Sequence, residues 1–300
     1  MKDVKGKTAF ITGGASGIGL GIAKIFAKAG VNVVIADIRE DHLDQAKKEL
    51  NGARVHAVQL DVADRKAFGA AADEAERVFG PVQIVCNNAG INMFAPMDEC
   101  TYEDWDWIMG VNLGGVVNGV QTFVPRIKAH GKGGHIVNTG SMASFITGPG
   151  AGIYTTTKFA VRGLSESLRW SLAPYNIGVS VLCPGLVNSR IYESDKVRPK
   201  ALSKHIGPVD QAFMARLADV HKVGMDPVEV GEKVLAGIRR NDLFIFPHPE
   251  FRDELREIFD EVLAALPDGK ADPKRLAFEE TRRMAKASVV TPAVAKSKAH

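Results

Sequence analysis

Cysteine is scarce in this 300-residue chain, and the three present, Cys86, Cys100 and Cys183, form no Cys-x-x-Cys pair. The count is odd and two of them sit in apolar, strand-like runs. That excludes a disulfide framework and points to free thiols in a reducing compartment, so a cytoplasmic location is expected. No apolar run is long enough to span a membrane, and no long apolar stretch precedes Gly13, so neither a leader peptide nor an anchor is expected. Charge is nearly balanced, 38 Lys and Arg against 35 Asp and Glu, which argues against a nucleic acid or a membrane surface as partner. The one basic bias follows about residue 268 and is expected to be a solvated, partly disordered tail. Histidines such as His56, His135, His205, His221 and His248 have no HxxxH or HxH spacing, so no metal site is expected. No Gly-x-Ser-x-Gly elbow is present, and no repeat or linker divides the chain.

What is present is a rhythm of short β-branched runs and longer helical stretches, the pattern of a parallel sheet with crossover helices. The runs predict strands over Lys7–Thr12, Val31–Ala36, Arg54–Leu60, Val82–Asn87, Gly134–Thr139, Gly178–Cys183 and Leu243–Phe246. They lack clean alternation, as strands buried on both faces should. Helices are predicted over Gly17–Ala29, Asp41–Leu50, Arg65–Phe79, Tyr102–His130, Ile153–Leu172, Pro227–Arg240, Glu250–Leu266 and Pro273–Ala287. Residues 186–226 break the rhythm with Pro199, Gly207, Pro208 and Gly224, and follow a strand end. A long irregular insertion there is expected to act as a substrate lid over a crevice at the sheet's carboxyl edge. The expected organisation is one catalytic domain over 1–265 and a helical extension with a flexible tail over 266–300.

The first strand runs into Thr12-Gly13-Gly14-Ala15-Ser16-Gly17-Ile18-Gly19, which opens a helix. A turn of this kind lets backbone approach a pyrophosphate, and the helix amino terminus offers free N–H groups and a positive dipole end. Asp37 follows the second strand, where an acid can bond adenosine ribose hydroxyls and repel a 2′-phosphate. Ser16 and Ile38 supply no positive charge there, so NAD is expected as cofactor. Arg39 is read as a surface residue at a helix start, and Trp105 and Trp107 as packing a helix start.

Tyr154-Thr-Thr-Thr-Lys158 puts a phenol and an ammonium on one helical face, thirteen residues after Ser141 at a strand end. A phenol with pKa about 10 is a poor base at neutral pH, and a nearby ammonium would favour its ionised form. The pair therefore suits proton transfer to and from a hydroxyl, with Ser141 holding the same oxygen.

The spacing Thr-Gly-x-x-x-Gly-Ile-Gly, the segment Asn87-Asn88-Ala89-Gly90, and the ordered set Asn112, Ser141, Tyr154 and Lys158 resemble the short-chain dehydrogenase/reductase family over roughly residues 5–247. The resemblance implies a Rossmann-type, doubly wound, seven-stranded parallel sheet of order 3-2-1-4-5-6-7 with helices on both faces. It implies NAD held by Gly13, Ser16, Gly17, Ile18, Gly19 and Asp37, with Asp61 and Val62 at the adenine ring and Asn88, Ala89 and Gly90 on the adenosine side. Lys158 would also hold the nicotinamide ribose, and Asn112 a relay water through its backbone in a distorted helix. Pro184-Gly185-Leu186-Val187-Asn188-Ser189 resembles the family's segment for the carboxamide, with Ser189 where Thr is usual. A homo-oligomer, dimer or tetramer, is implied through the helices at 102–130 and 153–172. The expected reaction interconverts a secondary alcohol and a ketone. The rival readings are a non-catalytic NAD-binding regulator, or an epimerase or dehydratase that retains its NAD.

For the substrate, Leu186, Ile191, Tyr192, Ile206, Phe213 and Met214 from the lid, with Met93, Phe94, Phe145 and Ile146, are expected to line an apolar crevice. Gly13–Lys24, the stretch from Trp105-Asp-Trp107 to Pro125, and Phe246–Phe251 resemble bacterial enzymes that oxidise benzylic Cα alcohols of lignin-type aryl ethers. A bulky, aryl-substituted alcohol or ketone is therefore expected.

Overall fold

The computed structural model describes residues 1–203 and 211–290. Its strands are β1 Thr8–Thr12, β2 Asn32–Asp37, β3 Val55–Gln59, β4 Val82–Asn87, β5 Gly134–Thr139, β6 Ile177–Leu182 and β7 Phe244–Ile245. They form one sheet in the order β3-β2-β1-β4-β5-β6-β7, every neighbouring pair parallel. Parallel strands need crossovers, and helices supply them on both faces. These are α1 Gly17–Lys28, α2 Glu40–Glu49, α3 Arg65–Phe79, α4 Tyr102–Met109, α5 Gly115–His130, α6 Gly152–Leu172, α7 Gln211–Lys222 and α8 Pro227–Arg240. Beyond β7 come α9 Arg252–Ala264 and α10 Pro273–Val290.

The sheet's two faces carry separate cores. Ile11, Val33 and Ile35 pack with Ile22, Phe26, Val230 and Val234 of α1 and α8 on one side. Phe10, Val34 and Val85 pack with Phe68 of α3 and Phe123 of α5 on the other. Helices α1 and α8 touch backbone to backbone: a Cβ on Gly21 would lie 2.0 Å from the Pro227 carbonyl oxygen. Any larger side chain at Gly21 would therefore force the two helices apart.

Three sequence expectations need correction. The single helix expected over Tyr102–His130 is two helices joined by a π-helical turn, Gly110–Gly114. The irregular stretch 186–226 includes α7 and two short 3₁₀ segments, Ile191–Val197 and Lys200–Leu202. Strand β7 keeps two residues of the four expected. Helix α9 docks through Leu255 and Phe259 near Phe145, whereas α10 has no buried residue among those whose exposure is described. The last ten residues of the expected tail, 291–300, lie outside the described residues.

The order in which strands are added reverses between β1 and β4, because β2 and β3 extend one way and β5 to β7 the other. The carboxyl ends of β1 and β4 therefore open a crevice, the place where a doubly wound sheet can admit a ligand.

Candidate active site

The turn after β1 holds Gly13 at φ +60° and Gly17 at φ +47°, both in the region that favours glycine. Ser16 is the N-cap of α1 but gives no side-chain hydrogen bond, so the helix's first N–H groups stay open towards the crevice. The loop is braced from beneath. Thr12 Oγ1 accepts the Asn88 and Ala89 N–H groups at 2.9 and 3.0 Å, and Asn88 Nδ2 donates to the Thr12 and Gly13 carbonyls at 3.1 and 3.3 Å. Gly13, Ser16, Gly17 and Ile18 line the crevice. Gly19 does not; it lies against the loop, where a Cβ would meet the Gly13 oxygen at 2.0 Å.

Asp37 also lines the crevice, and accepts the N–H groups of Arg39 and Ala15 at 3.1 and 3.3 Å. Burial pushes its carboxyl up, and those backbone bonds pull it back down. Arg39 lines the crevice too and pairs with Asp41, its Nε 3.0 Å from the carboxylate. Asp61 and Val62 form the next wall, with the Val62 carbonyl held by Asn118 at 2.8 Å. Ala89 and Gly90 continue it.

Tyr154 and Lys158 rise from the first turns of α6 into the same crevice, beside Ser141 at the end of β5. Burial raises the Tyr154 phenol above its ordinary value, and the neighbouring Ser141 hydroxyl offsets part of that rise. The Lys158 Nζ lies 5.3 Å from the Tyr154 ring centre and donates to the Thr139 carbonyl at 2.9 Å. Burial lowers this ammonium to about 8. Gly90 lies beside it, where a Cβ would meet Nζ at 3.5 Å, an ordinary contact.

Asn112 stands behind the crevice rather than in its wall. Its side chain is fully engaged: Oδ1 accepts the Ile91 N–H at 2.8 Å, and Nδ2 donates to the Ile91 carbonyl and to Thr157 Oγ1. It sits at the centre of the π turn, where the regular helical bonding is interrupted. After β6, Pro184, Gly185, Val187 and Ser189 complete the wall. Ser189 faces the glycine loop so closely that a Cβ on Gly17 would come within 3.0 Å of it.

Several supporting residues escaped the sequence analysis. Ser144 forms a capping box with Ser141 and donates to the Lys158 carbonyl at 2.8 Å, locking the two elements together. The spacing of two serines three apart was the available signal. His248, buried, bridges the loop after β6: Nδ1 accepts the Gly185 N–H and Nε2 donates to the Leu186 carbonyl, each at 3.0 Å. Trp107, 3% exposed, packs as expected but also lines the crevice. Arg198 covers its ring at 4.8 Å and pairs with Asp104, so a buried ion pair fixes the segment after Val187 to α4.

The expected apolar lining is only partly right. Leu186 and Ile191 line the crevice, joined by Ile91, Trp107, Val111, Val197 and Leu202. Phe145 and Ile146 instead pack towards β7 and α9, with Phe145 ringed by Phe244, Phe246 and Phe259 and covered by Arg162. Tyr192 packs on His221, Met93 meets Arg198, Phe94 is exposed, and Met214 is absent from the lining. Ile206 and the side chain of Phe213 lie outside what the structure describes.

Residues 7–199 match the model of the short chain dehydrogenase family. The chain is 41% identical to a C alpha-dehydrogenase of Sphingobium sp. over 277 residues, 91% of each protein. It is similar to a solved structure from Novosphingobium aromaticivorans, assigned to the short-chain dehydrogenases, at 48% identity and TM-score 0.83, covering 96% of this chain and 98% of that one. A short chain dehydrogenase/reductase from Burkholderia phymatum, solved in complex with NAD, shares 33% identity at TM-score 0.83 over 91% of this chain and all of the other.

Proposed function

The chain belongs to the short-chain dehydrogenase family, and on that premise we propose that it interconverts a bulky, aryl-substituted secondary alcohol and its ketone with NAD(H). One observation carries this reading: Tyr154 and Lys158 share a crevice with Ser141 and with the open amino terminus of α1. The crevice fits a dinucleotide. The uncapped first turn of α1 offers N–H groups to a pyrophosphate, and Asp37 offers a carboxylate at the ribose position. When bound, nicotinamide would supply the hydride acceptor or donor. The similar structure solved with NAD supports the choice of cofactor, as does the pairing of Arg39 with Asp41.

In alcohol oxidation, Ser141 holds the substrate oxygen and Tyr154 removes its proton; in reduction, Tyr154 returns it. Burial in the chain alone keeps the phenol protonated, so a cationic ring in the crevice and the Lys158 ammonium together would favour its ionised form. The side chain of Asn112 is committed to Ile91 and Thr157, which leaves its backbone to hold a relay water on the path to Lys158. Val187 and Ser189 would hold the carboxamide end, on a loop that His248 keeps in shape.

Trp107, Val111, Ile191, Val197 and Leu202 favour an apolar, aromatic substrate, and the C alpha-dehydrogenase relative supports the same class. We also propose a homo-oligomer built on α5 and α6. The test is steady-state turnover, read by NADH absorbance, of a 1-aryl alkanol against a small aliphatic alcohol and a sugar. The aryl alkanol is expected to give the highest kcat/KM; a sugar in first place would overturn the substrate class.

A further inference from the structure

The wall beside Asp37 carries more positive charge than an NAD site requires. Arg39 and Arg190 both line it. Both converge on Glu193, in the 3₁₀ segment Ile191–Val197. Arg190 Nη2 lies 2.8 Å from Glu193 Oε2, Lys196 Nζ lies 3.1 Å from Oε1, and Arg39 Nη1 lies 3.5 Å from Oε2. The carboxylate is the covered member of the cluster, 13% exposed against 49% for Arg190 and 58% for Lys196. Arg39 is held on its other edge by Asp41, through Nε and Nη2.

We propose that Glu193 is a cofactor-specificity residue: it holds Arg39 and Arg190 in ion pairs and so denies them to a 2′-phosphate. This rests on the reading of the crevice as a nicotinamide dinucleotide site with the adenosine ribose at Asp37. A guanidinium grips a phosphate through two parallel N–H groups; one edge of Arg39 donates to Asp41, and its Nη1 stands in a longer ion pair with Glu193. A 2′-phosphate would have to displace Glu193 as well as tolerate Asp37. The simpler alternative is that Glu193 only ties its own segment together. Isolated surface pairs contribute little, but here one largely covered carboxylate collects three cations, one of them from the loop after β2.

The two accounts separate in the ratio of kcat/KM for NADP⁺ to that for NAD⁺, because a loosened segment affects both cofactors alike. Glu193→Gln is expected to raise that ratio about tenfold, since one carboxylate near two guanidiniums is lost while shape is kept. Adding Arg39→Ala should remove most of the gain. A readout independent of turnover is competition by adenosine 2′,5′-bisphosphate against 5′-AMP, measured as displacement of NADH fluorescence. The bisphosphate should bind about tenfold tighter to Glu193→Gln, with 5′-AMP unchanged. An unchanged ratio with unchanged bisphosphate binding, or equal losses for both cofactors, would overturn the proposal. Its failure is distinct from failure of the NAD reading: that fails if the wild-type protein prefers NADP⁺, whereas Glu193 is judged by the change between wild type and variant.

Discussion

The two edges of the same sheet bury polar side chains to opposite ends. At the amino edge, His135 of β5 hydrogen-bonds Ser180 at 2.8 Å, and Ser180 donates to the Asp242 carbonyl. Nearby, Arg169 donates to the carbonyls of Val179 and Asn241, and Gln83 accepts the Thr8 N–H. Those chains of bonds end on protein. At the carboxyl edge of the same strand, Lys158 is 3% exposed yet spends one proton on Thr139 and faces a crevice with Tyr154 and Ser141. Both bases are pushed down by burial, His135 to about 3 and Lys158 to about 8. Burial and a displaced pKa are therefore common to both edges. What separates them is where the bonds lead: between protein groups at the amino edge, where His135 Nδ1 stays buried without a partner, and to an open crevice at the carboxyl edge.

Variants at the two edges should fail in different assays. The largest effect is expected for Tyr154→Phe, which should lower kcat by roughly 10³-fold while NADH binding, followed by fluorescence titration, stays nearly unchanged. Retention of most of kcat would remove the carboxyl edge from the chemistry. Lys158→Met should cost about 10²-fold in kcat and also weaken NADH binding, if one residue serves both proton transfer and cofactor as proposed. An undisturbed NADH affinity would confine Lys158 to the first role. Asp37→Ser combined with Ile38→Arg should move the NADP⁺ to NAD⁺ ratio of kcat/KM upward by about tenfold to a hundredfold, equivalent to roughly 1.4–2.8 kcal/mol. A wild-type preference for NADP⁺ would show that Arg39, not Asp37, governs that wall.

The amino edge should answer to stability instead. Burial lowers His135 in the folded chain to about 3, well below the ordinary imidazole, so the unfolded chain takes up the proton first. Stability is then full above about pH 6.5 and falls as pH drops towards 3, by up to about 1.4 kcal/mol per pH unit. Urea unfolding at pH 7 and pH 5 should show this slope in the wild type and a shallower one in His135→Gln; equal slopes would clear His135 of the effect. The smallest change is expected for Ser180→Ala, about 1–2 kcal/mol of stability with kcat/KM intact, because it strands the His135 donor. A loss of activity there would collapse the distinction between the edges.

Much of the carboxyl edge was legible because its chemistry fixes residue types at fixed spacing. The glycine loop, Asp37, Ser141 and the Tyr154–Lys158 pair each follow a strand end or share a helix turn. The supporting contacts were not, because they join distant segments: His248 reaches back to Gly185, and Arg198 to Asp104. Phe145 shows the same limit. From sequence, an aromatic on the loop after β5 suits the crevice, but it packs on Phe244 and Phe259, whose nearness depends on the docking of α9. Helix α7 was hidden because the neighbouring Pro199, Gly207, Pro208 and Gly224 suggested irregular chain throughout.

The π turn at Gly110–Gly114 has a consequence for insertions and deletions. Seen end on, α4 and α5 are nearly one rod with one residue too many, and each helical residue turns the rod by about 100°. The surplus sets the phase of one half against the other, so that α4 presents Trp107 and Ile108 to one cluster while α5 turns Val116 and Phe123 to others. Removing a single residue from this turn would let the rod close into regular helix and swing those faces out of phase. Length in this stretch should therefore be less tolerant of change than the identity of most side chains that occupy it.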